Sequence, residues 1–289
     1  MYIADKWQDY KLIDADDGER LESWGGKILI RPDPQIIWKS GRKNPLWNRA
    51  DAIYKRSKEG GGSWVKKDIP ESWKISYGEM TFEITPMGFK HTGLFPEQAA
   101  NWDWFMPLIK NCGRRVKLLN LFAYTGGASV AAAKAGAEVC HVDASKGMVG
   151  KAKQNAALSG IPSDRIRYIV DDCIKFVERE IRRGNRYDAV ILDPPSFGRG
   201  PNGERWVIEE SLDNLITTIT GVLSVQPLFV LLNSYTTGLS ASTNGYILHN
   251  NIVRRFGGYV ESDELGIPVE SSGTALPCGA SSRWTSSKI

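Results

Sequence analysis

"LLNLFAYTGG", residues 118–127, decides how the chain is to be read. Leucines and one asparagine run into a short aromatic-containing turn that closes on two glycines. The run is too short for a core helix, and it ends in the residue type that tolerates left-handed backbone. It reads as a buried strand that stops where backbone must approach something closely. The same alternation continues downstream. "EVCHVDAS" (138–145), "IRYIVDD" (166–172), "YDAVILDPP" (187–195) and "PLFVLLNSY" (227–235) read as strands. "GASVAAAKAGA" (127–137), "GMVGKAKQNAALSG" (147–160), "CIKFVEREIRRG" (173–184) and "SLDNLITTITGVL" (211–223) read as the helices between them, and "PEQAANWDWFMPLIKNC" (96–112) as a helix entered through Pro96. Strands alternating with helices of ten or more residues predict βαβ units and a mostly parallel sheet with helices on both faces.

Residues 1–86 have another character. Trp, Pro, Gly and charges dominate there, and apolar runs are short. "KISYGEMTFEIT" (74–85) alternates as a hairpin does, with Gly78 and Glu79 at its turn. "KEGGGSW" (58–64) reads as a flexible loop, and "IPVESSGTALPCGASSRW" (267–284) as a terminal hairpin. The expected organisation is therefore a small β-rich domain at 1–86, a candidate substrate- or RNA-binding part, followed by an α/β domain at 87–289.

The chain of 289 residues is long enough for both. No stretch has the length and apolarity of a membrane span. "MYIADKWQDY" lacks the apolar region of a signal peptide. Cys112, Cys140, Cys173 and Cys278 are scattered and form no CxxC pair, which argues against zinc and against a disulfide framework. A cytoplasmic protein without metal or membrane partner is the expectation. A net charge of +4 permits a nucleic-acid partner without requiring one.

In an open α/β sheet, ligands sit beyond the carboxyl ends of the strands. The turn after residue 121 lies there. Its spacing is not the dinucleotide fingerprint G-x-G-x-x-G, and Tyr124 stands where a pyrophosphate would need a small residue. Asp143 ends the second strand, where a carboxylate can accept from both hydroxyls of a ribose, or can cap the next helix together with Ser145. Asp171 and Asp172 end the third strand, and one of them could accept from an adenine amine. Asp193, before Pro194 and Pro195, makes a rigid end to the fourth. Asn120, Asp143, Asp171 or Asp172, and Asp193 thus stand at successive strand ends. That set suits an adenosine-containing ligand without a phosphate chain. S-adenosylmethionine answers to it, with a sulfonium cation that acidic surroundings favour.

The combination of "NLFAYTGGAS" (120–129), "HVDAS" (141–145), "VDDC" (170–173) and "DPPSFGRG" (193–200) resembles the class I S-adenosylmethionine-dependent methyltransferases. Within them it is similar to the bacterial group that includes large-subunit ribosomal RNA methyltransferases making 5-methylcytosine or 7-methylguanine. "HTGLFPEQ" (91–98) resembles that group's signature of Thr-Gly, an aromatic and a Gln. The resemblance covers roughly residues 75–289. It implies a Rossmann-like sheet of seven strands, the last antiparallel. It also implies roles. Asn120, Phe122, Tyr124, Thr125 and Gly126 would line the methionine and ribose side. Asp143, with Ala144 beside it, would hold the ribose, and Asp172 the adenine amine with Cys173 adjacent. Asp193, Pro194 and Pro195 would form the floor where acceptor meets methyl, and Phe95 and Gln98 would close over the methionine end.

The acceptor follows from chemistry. Methylation of cytosine C5 needs a thiolate that first attacks C6. The fourth strand end reads "DPPSF" and the fifth "LLNSYTTG", neither with a thiol, and Cys278 reads as a buried small hydrophobe. A base nitrogen needs only an acceptor such as Asp193 or a prolyl carbonyl and an aromatic surface. Phe197 is placed to stack on a base or to pack under its own loop. "FGRGPNGERW" (197–206) reads as a mobile lid carrying Arg199, Arg205 and Trp206. From Trp38 to Trp73, basic residues (Lys39, Arg42, Lys43, Arg49, Lys55, Arg56, Lys58, Lys66, Lys67) interleave with Trp47, Tyr54 and Trp64. This is either a single-strand RNA platform or a small core with a solvated surface. His91 and His141 read as structural. The expected protein is a methyltransferase acting on a base nitrogen of ribosomal RNA, with the RNA or the ribosomal subunit as partner. The alternatives are a small-molecule or protein acceptor, and an S-adenosylmethionine-binding module without catalysis.

Overall fold

Two dipeptides organise the N-terminal strands. Asp17-Gly18 and Gly25-Gly26 each hold both residues at positive φ, the backbone a two-residue hairpin turn of the favoured twist requires. The computed structural model describes residues 1–57, 61–66, 69–88, 90–200, 203–236 and 238–288. After a two-residue strand β1 (Tyr2–Ile3), these turns join β2 (Tyr10–Asp16), β3 (Glu19–Trp24) and β4 (Lys27–Pro32) into an antiparallel meander. β5 (Ala52–Arg56) adds parallel to β4, and β6 (Gly62–Lys66) antiparallel to β5. β7 (Trp73–Tyr77) and β8 (Met80–Ile84) form the hairpin expected around Gly78 and Glu79. The small N-terminal β-rich domain is therefore a five-stranded sheet and a separate hairpin.

The core of the five-stranded sheet contains Ile13, Leu21, Ile30, Trp47 and Ala50. Trp47 enters it from a 3-10 turn, Pro45–Asn48, in which the Leu46 N–H donates to the Asn44 side chain. Its indole N–H donates to Asp14 Oδ2 at 2.8 Å. Tyr54 is also buried, and the Trp64 indole donates to the Met87 carbonyl. Arg42 lies over Trp47 and pairs with Glu19 at 2.7 Å. Trp47 and Tyr54 of the basic stretch are thus interior groups, Trp64 and Trp73 are partly buried, and Trp38 is exposed. Lys58, Lys67 and the start of "KEGGGSW" lie outside the described residues.

A buried charge sits in the same sheet. Glu22, fully buried, accepts from Arg31 Nε at 2.6 Å, Arg31 Nη2 at 2.7 Å and Tyr10 Oη at 2.8 Å. Burial alone would raise its pKa. The Arg31 charge and hydrogen bonds, with Arg20 and Tyr10, outweigh it and hold the carboxyl below its ordinary value. A lowered folded value contributes stability above the unfolded pKa and loses it as pH falls through the folded one.

The chain forms two compact units: Ile3–Ala100 with Gly266–Pro277, and Asn101–Leu265 with Met1–Tyr2 and Cys278–Ile289. A 3-10 turn, Pro96–Gln98, leads into α1 (Ala99–Asn111). Then follow β9 (Lys117–Leu121), α2 (Gly127–Lys134), β10 (Glu138–Asp143), α3 (Lys146–Leu158), β11 (Ile166–Val170), α4 (Cys173–Arg182) and β12 (Ala189–Leu192). After a short hairpin of β13 (Phe197–Arg199) and β14 (Arg205–Val207) come α5 (Ile208–Ile219), β15 (Phe229–Ser234), α6 (Ala241–Leu248) and α7 (Arg254–Phe256), the last two joined by a π turn. β16 (Tyr259–Pro268) and β17 (Ala275–Thr285) close the sheet. Its order is β1-β16-β17-β15-β12-β9-β10-β11.

Neighbours from β11 through β15 run parallel, and β17 runs antiparallel to β15. The seven expected strands are all present, with β1 as a short eighth on the edge. β12 and β15 are buried along their whole length, as parallel strands covered on both faces must be. The chain leaves β9 toward β10 and β11, then returns to β12 on the other side. That reversal opens a crevice beyond the ends of β9 and β12.

Three expectations change in detail. Residues 197–207 form a paired hairpin rather than an irregular loop, with 201–202 outside the described residues. The terminal hairpin begins at Tyr259, and the helical stretch 241–256 carries a pattern the sequence reading did not use.

Glu22→Gln leaves the Arg31 guanidinium buried without a counter-charge. It is expected to cost about 3–5 kcal/mol in urea denaturation, and the double change Glu22→Leu with Arg31→Met to recover most of that loss.

Candidate cofactor and active site

Register brings the strand ends together. Leu121 of β9 lies opposite Val142 of β10 and Leu192 of β12. Phe122, one residue on, therefore stands between Asp143 and Asp193. With strands about 4.8 Å apart, those two backbones flank the turn at a separation of about 10 Å.

The turn 122–126 is held by its amides. Phe122 donates to Cys173 Sγ at 3.4 Å, Ala123 to the Val142 carbonyl at 3.1 Å, and Tyr124 to Asp143 Oδ2 at 2.8 Å. Phe122 and Tyr124 hold φ of +55° and +49°, left-handed values that cost a side-chain-bearing residue roughly 1–2 kcal/mol each. Gly126 has φ +82°, and a Cβ there would meet Ala152 Cβ of α3 at 2.9 Å. This glycine lets the turn pack on α3. Thr125 is buried and its carbonyl accepts from Asn155 Nδ2 at 2.9 Å. Asn155, a polar residue on the buried side of α3, is a site-shaping group the sequence reading missed. Its place among Val149, Ala152 and Ala156 was the available signal.

Asn120 lies beneath the turn. It donates to Ser129 Oγ at 2.9 Å, and Ser129 in turn contacts His141 Nδ1 at 3.0 Å. Burial lowers the His141 pKa to about 3, so the ring is neutral and structural. His91 is lowered to about 4 by burial and then by Arg31 and Lys90.

Asp143 is half-buried. Its Oδ1 accepts from the Ser145 amide at 2.8 Å and its Oδ2 from Tyr124. Burial raises its pKa, opposed by these two bonds. Ser145 itself caps α3, so the capping task falls to it, and Ala144 is half-buried between the two.

At the next strand end the two aspartates differ. Asp171 pairs with Arg179 and accepts from the Asp172 amide. Asp172 caps α4, accepting from the Lys175 amide at 2.9 Å. Cys173 is buried. Burial pushes its thiol far up, the Phe122 amide opposes that, and Asp143 and Asp172 add to it.

Asp193 donates its amide to the Leu121 carbonyl at 3.4 Å. Pro195 follows, and its carbonyl accepts from the Trp206 indole at 2.6 Å. Trp206 also packs against Phe122, ring centroids 5.0 Å apart. The β13–β14 hairpin thus pins the strap after β12 to the turn after β9. Phe197 at the start of that hairpin is 56% exposed. Ser196 and Thr236 share a hydrogen bond of 2.6 Å.

Phe95 and Gln98 belong to the N-terminal unit. Gln98 donates its amide to the Phe95 carbonyl at 3.1 Å, and the Phe95 ring lies 5.3 Å from His91.

Such a sheet, with a turn and three acidic strand ends at its switch point, is the architecture of a nucleoside-binding transferase. Residues 33–222 match the family described as S-adenosylmethionine-dependent methyltransferase, and the chain belongs to that family. A crystal structure of the SAM-dependent methyltransferase from Agrobacterium tumefaciens is 36% identical, with a TM-score of 0.92 over 98% of this chain and 93% of that one. A Methanocaldococcus jannaschii protein whose name carries the words "ribosomal RNA large subunit methyltransferase" is 39% identical over 159 residues, 52% of this chain and 40% of its own length. "Ribosomal RNA large subunit methyltransferase K/L" of Colwellia psychrerythraea is 27% identical over 270 residues, 90% of this chain and 32% of its own. The chain spans less than half the length of these curated relatives. No helix among the described residues is long and apolar enough to cross a membrane.

Gly126→Ala combines a left-handed Ala with a contact inside the packing limit. A loss of about 2–4 kcal/mol in urea denaturation is expected, from the two costs together.

Proposed function

We propose that the chain methylates a base nitrogen of ribosomal RNA, with the acceptor base held against Phe197. The observation that carries this reading is an exposed aromatic ring two residues after Pro195 of Asp193-Pro194-Pro195, on a rim without a usable thiol. Cys173 is buried and held as a neutral thiol. The Cys140 thiol is pushed up to about 11 by burial. Cys278 is buried in β17, and Cys112 precedes β9, on the amino side of the parallel strands. A thiolate for attack on a pyrimidine C6 has no source there. The names of the relatives support ribosomal RNA as the acceptor.

When bound, S-adenosylmethionine supplies a methyl carbon on a positively charged sulfur, which keeps the bonding electron pair as the methyl leaves. The residues of the rim fit it. A carboxylate has about four acceptor sites, and Asp143 spends two on backbone amides, leaving two for a vicinal diol. Phe122, Tyr124, Thr125 and Ala144 line the same end, with Asn120 and Gly126 shaping the turn from below. Asp172, beside Cys173, accepts from the adenine amine. The carboxylates at 143 and 172 favour a cation near them.

The acceptor side is positioning chemistry. The Pro195 carbonyl is taken by Trp206, and the acceptors offered to a base amine are Asp193 and the Pro194 carbonyl. Holding those hydrogens aims the nitrogen lone pair at the methyl. Phe197 stacks the ring, worth about 1–3 kcal/mol. The proton shed by the methylated nitrogen passes to Asp193 or to water.

Asp143→Asn is expected to weaken S-adenosylmethionine binding about tenfold or more in calorimetry, since hydrogen bonds to a charged group are worth about 1.5–3 kcal/mol. Because burial raises the Asp143 pKa, wild-type affinity should fall as pH drops through that raised value, and the variant should lose this dependence.

Methyl-labelled S-adenosylmethionine, incubated with ribosomal subunits, free ribosomal RNA and cell protein from a strain lacking the gene, tests the acceptor. Label is expected in a base of large-subunit RNA, with Asp193→Ala lowering transfer at least about 100-fold while sparing cofactor affinity. Label confined to protein or small molecules would overturn the RNA reading.

A further inference from the structure

The N-terminal unit holds a pocket of its own, about 560 Å³ in volume. Asp14 and Ala15 of β2 line it, with residues 38–44 on one side and 269–277 on another. The two chain segments are tied together: the Glu270 and Ser271 amides donate to the Leu12 and Ile13 carbonyls at 3.0 Å.

Most polar groups of the pocket are already engaged. Asp14 accepts from the Trp47 indole at 2.8 Å, the Ser271 hydroxyl at 2.6 Å and the Ala15 amide at 3.0 Å. Ser40 is bound to Asp16, and Ser272 to Thr274. Three groups stand apart. Lys43 is exposed and makes no ion pair among the described residues. Asn44 spends its oxygen on the Leu46 amide, leaving its amino group. Trp38 is 41% exposed although its indole N–H is fixed on the Ala15 carbonyl at 2.7 Å.

The neighbourhood of Trp38 is unusual for a solvated surface. Ile37 beside it is 84% exposed, and Lys39, Arg42 and Lys43 follow within five residues. Two large apolar side chains in succession, with cations directly after them, do not stabilise a fold by facing water. An indole held by its N–H is a stacking surface that loses little freedom when a ring lies on it. A cation beside such a ring, with an amide donor within the same pocket, matches the parts of a nucleotide: base, phosphate and sugar or base edge. Among the described residues Lys39 is paired with Asp17, in a surface contact of 3.3 Å that a phosphate can replace.

We propose that this pocket binds an unpaired nucleotide of the RNA acceptor, other than the methylated one, with its base on Trp38 and its phosphate on Lys43. The proposal rests on the RNA reading above and adds to it a second contact point in the N-terminal unit. Stacking is tolerant of base identity, so the contact adds affinity rather than sequence choice.

Fluorescence anisotropy with a fluorescein-labelled oligouridine of ten nucleotides tests it on the whole chain. Trp38→Ala is expected to weaken binding about tenfold, the middle of the range for one base–aromatic stack. Trp38→Phe keeps a ring and should stay within about threefold of wild type. Lys43→Ala should lower the slope of log affinity against log salt by about 0.7, the value for one phosphate contact on a single strand. Calorimetric binding of S-adenosylmethionine to each variant reports whether the chain is folded. Wild-type affinity and salt slope in both alanine variants would overturn the pocket, and so would a failure of the wild-type chain to bind the oligonucleotide while it still methylates ribosomal RNA. If the wild-type chain neither binds nor methylates RNA, the acceptor reading falls as well.

Discussion

The carboxylate of Asp143 accepts two backbone amides, one from Ser145 on its own side and one from Tyr124 across the neighbouring strand. That second bond fixes the turn after β9. It is made to a charged acceptor, where hydrogen bonds are worth about 1.5–3 kcal/mol, and it offsets the left-handed backbone at Phe122 and Tyr124. Fixing Phe122 in turn places its ring on Trp206 and its amide on Cys173. Trp206 then holds the Pro195 carbonyl. One chain of contacts runs from the second strand end through the first to the fourth.

The units are stabilised by different means. The large sheet is held by continuous aliphatic strands, with one hydrogen-bonded polar network at the start of α1. Asn101 donates to Asn233 at 3.0 Å and accepts from Ser281 and from Arg283, whose guanidinium lies over Tyr2 and Trp104. The small unit instead buries a full ion pair, Glu22 with Arg31, against Trp24. A buried pair fixes geometry more than it adds stability, since both ions give up water. In a sheet with a core of few residues that fixing is what registers β3 against β4.

Much of this was legible from sequence because period and punctuation agreed. From 97 to 235, β9, β10, β11, β12 and β15 and the helices between them followed from apolar runs bounded by Gly, Pro or a capping residue, while the short β13 and β14 did not. The Asp17-Gly18 and Gly25-Gly26 turns were equally readable, but their strands are rich in charges and tryptophan, which hid the alternation. The strap after β12 differs: "FGRGPNGERW" read as a lid, and its two ends pair as β13 and β14, with residues 201–202 outside the described part. Which of Asp171 and Asp172 caps α4 depends on where the helix starts, to one residue, and no local pattern sets that. The parallel pairing of β4 with β5 spans an irregular segment and has no local signal at all.

The pocket of the N-terminal unit has a consequence for synthesis. Its walls come from residues 14–44 and 269–277, and Ser271 bonds Asp14 across 257 positions of chain. During translation the five-stranded sheet emerges early with that wall missing. Asp14 keeps an open acceptor, and the edge of β2 at Leu12 and Ile13 lacks its partner, until residues 269–277 have left the ribosome. Completion of this unit thereby waits for the β16–β17 hairpin.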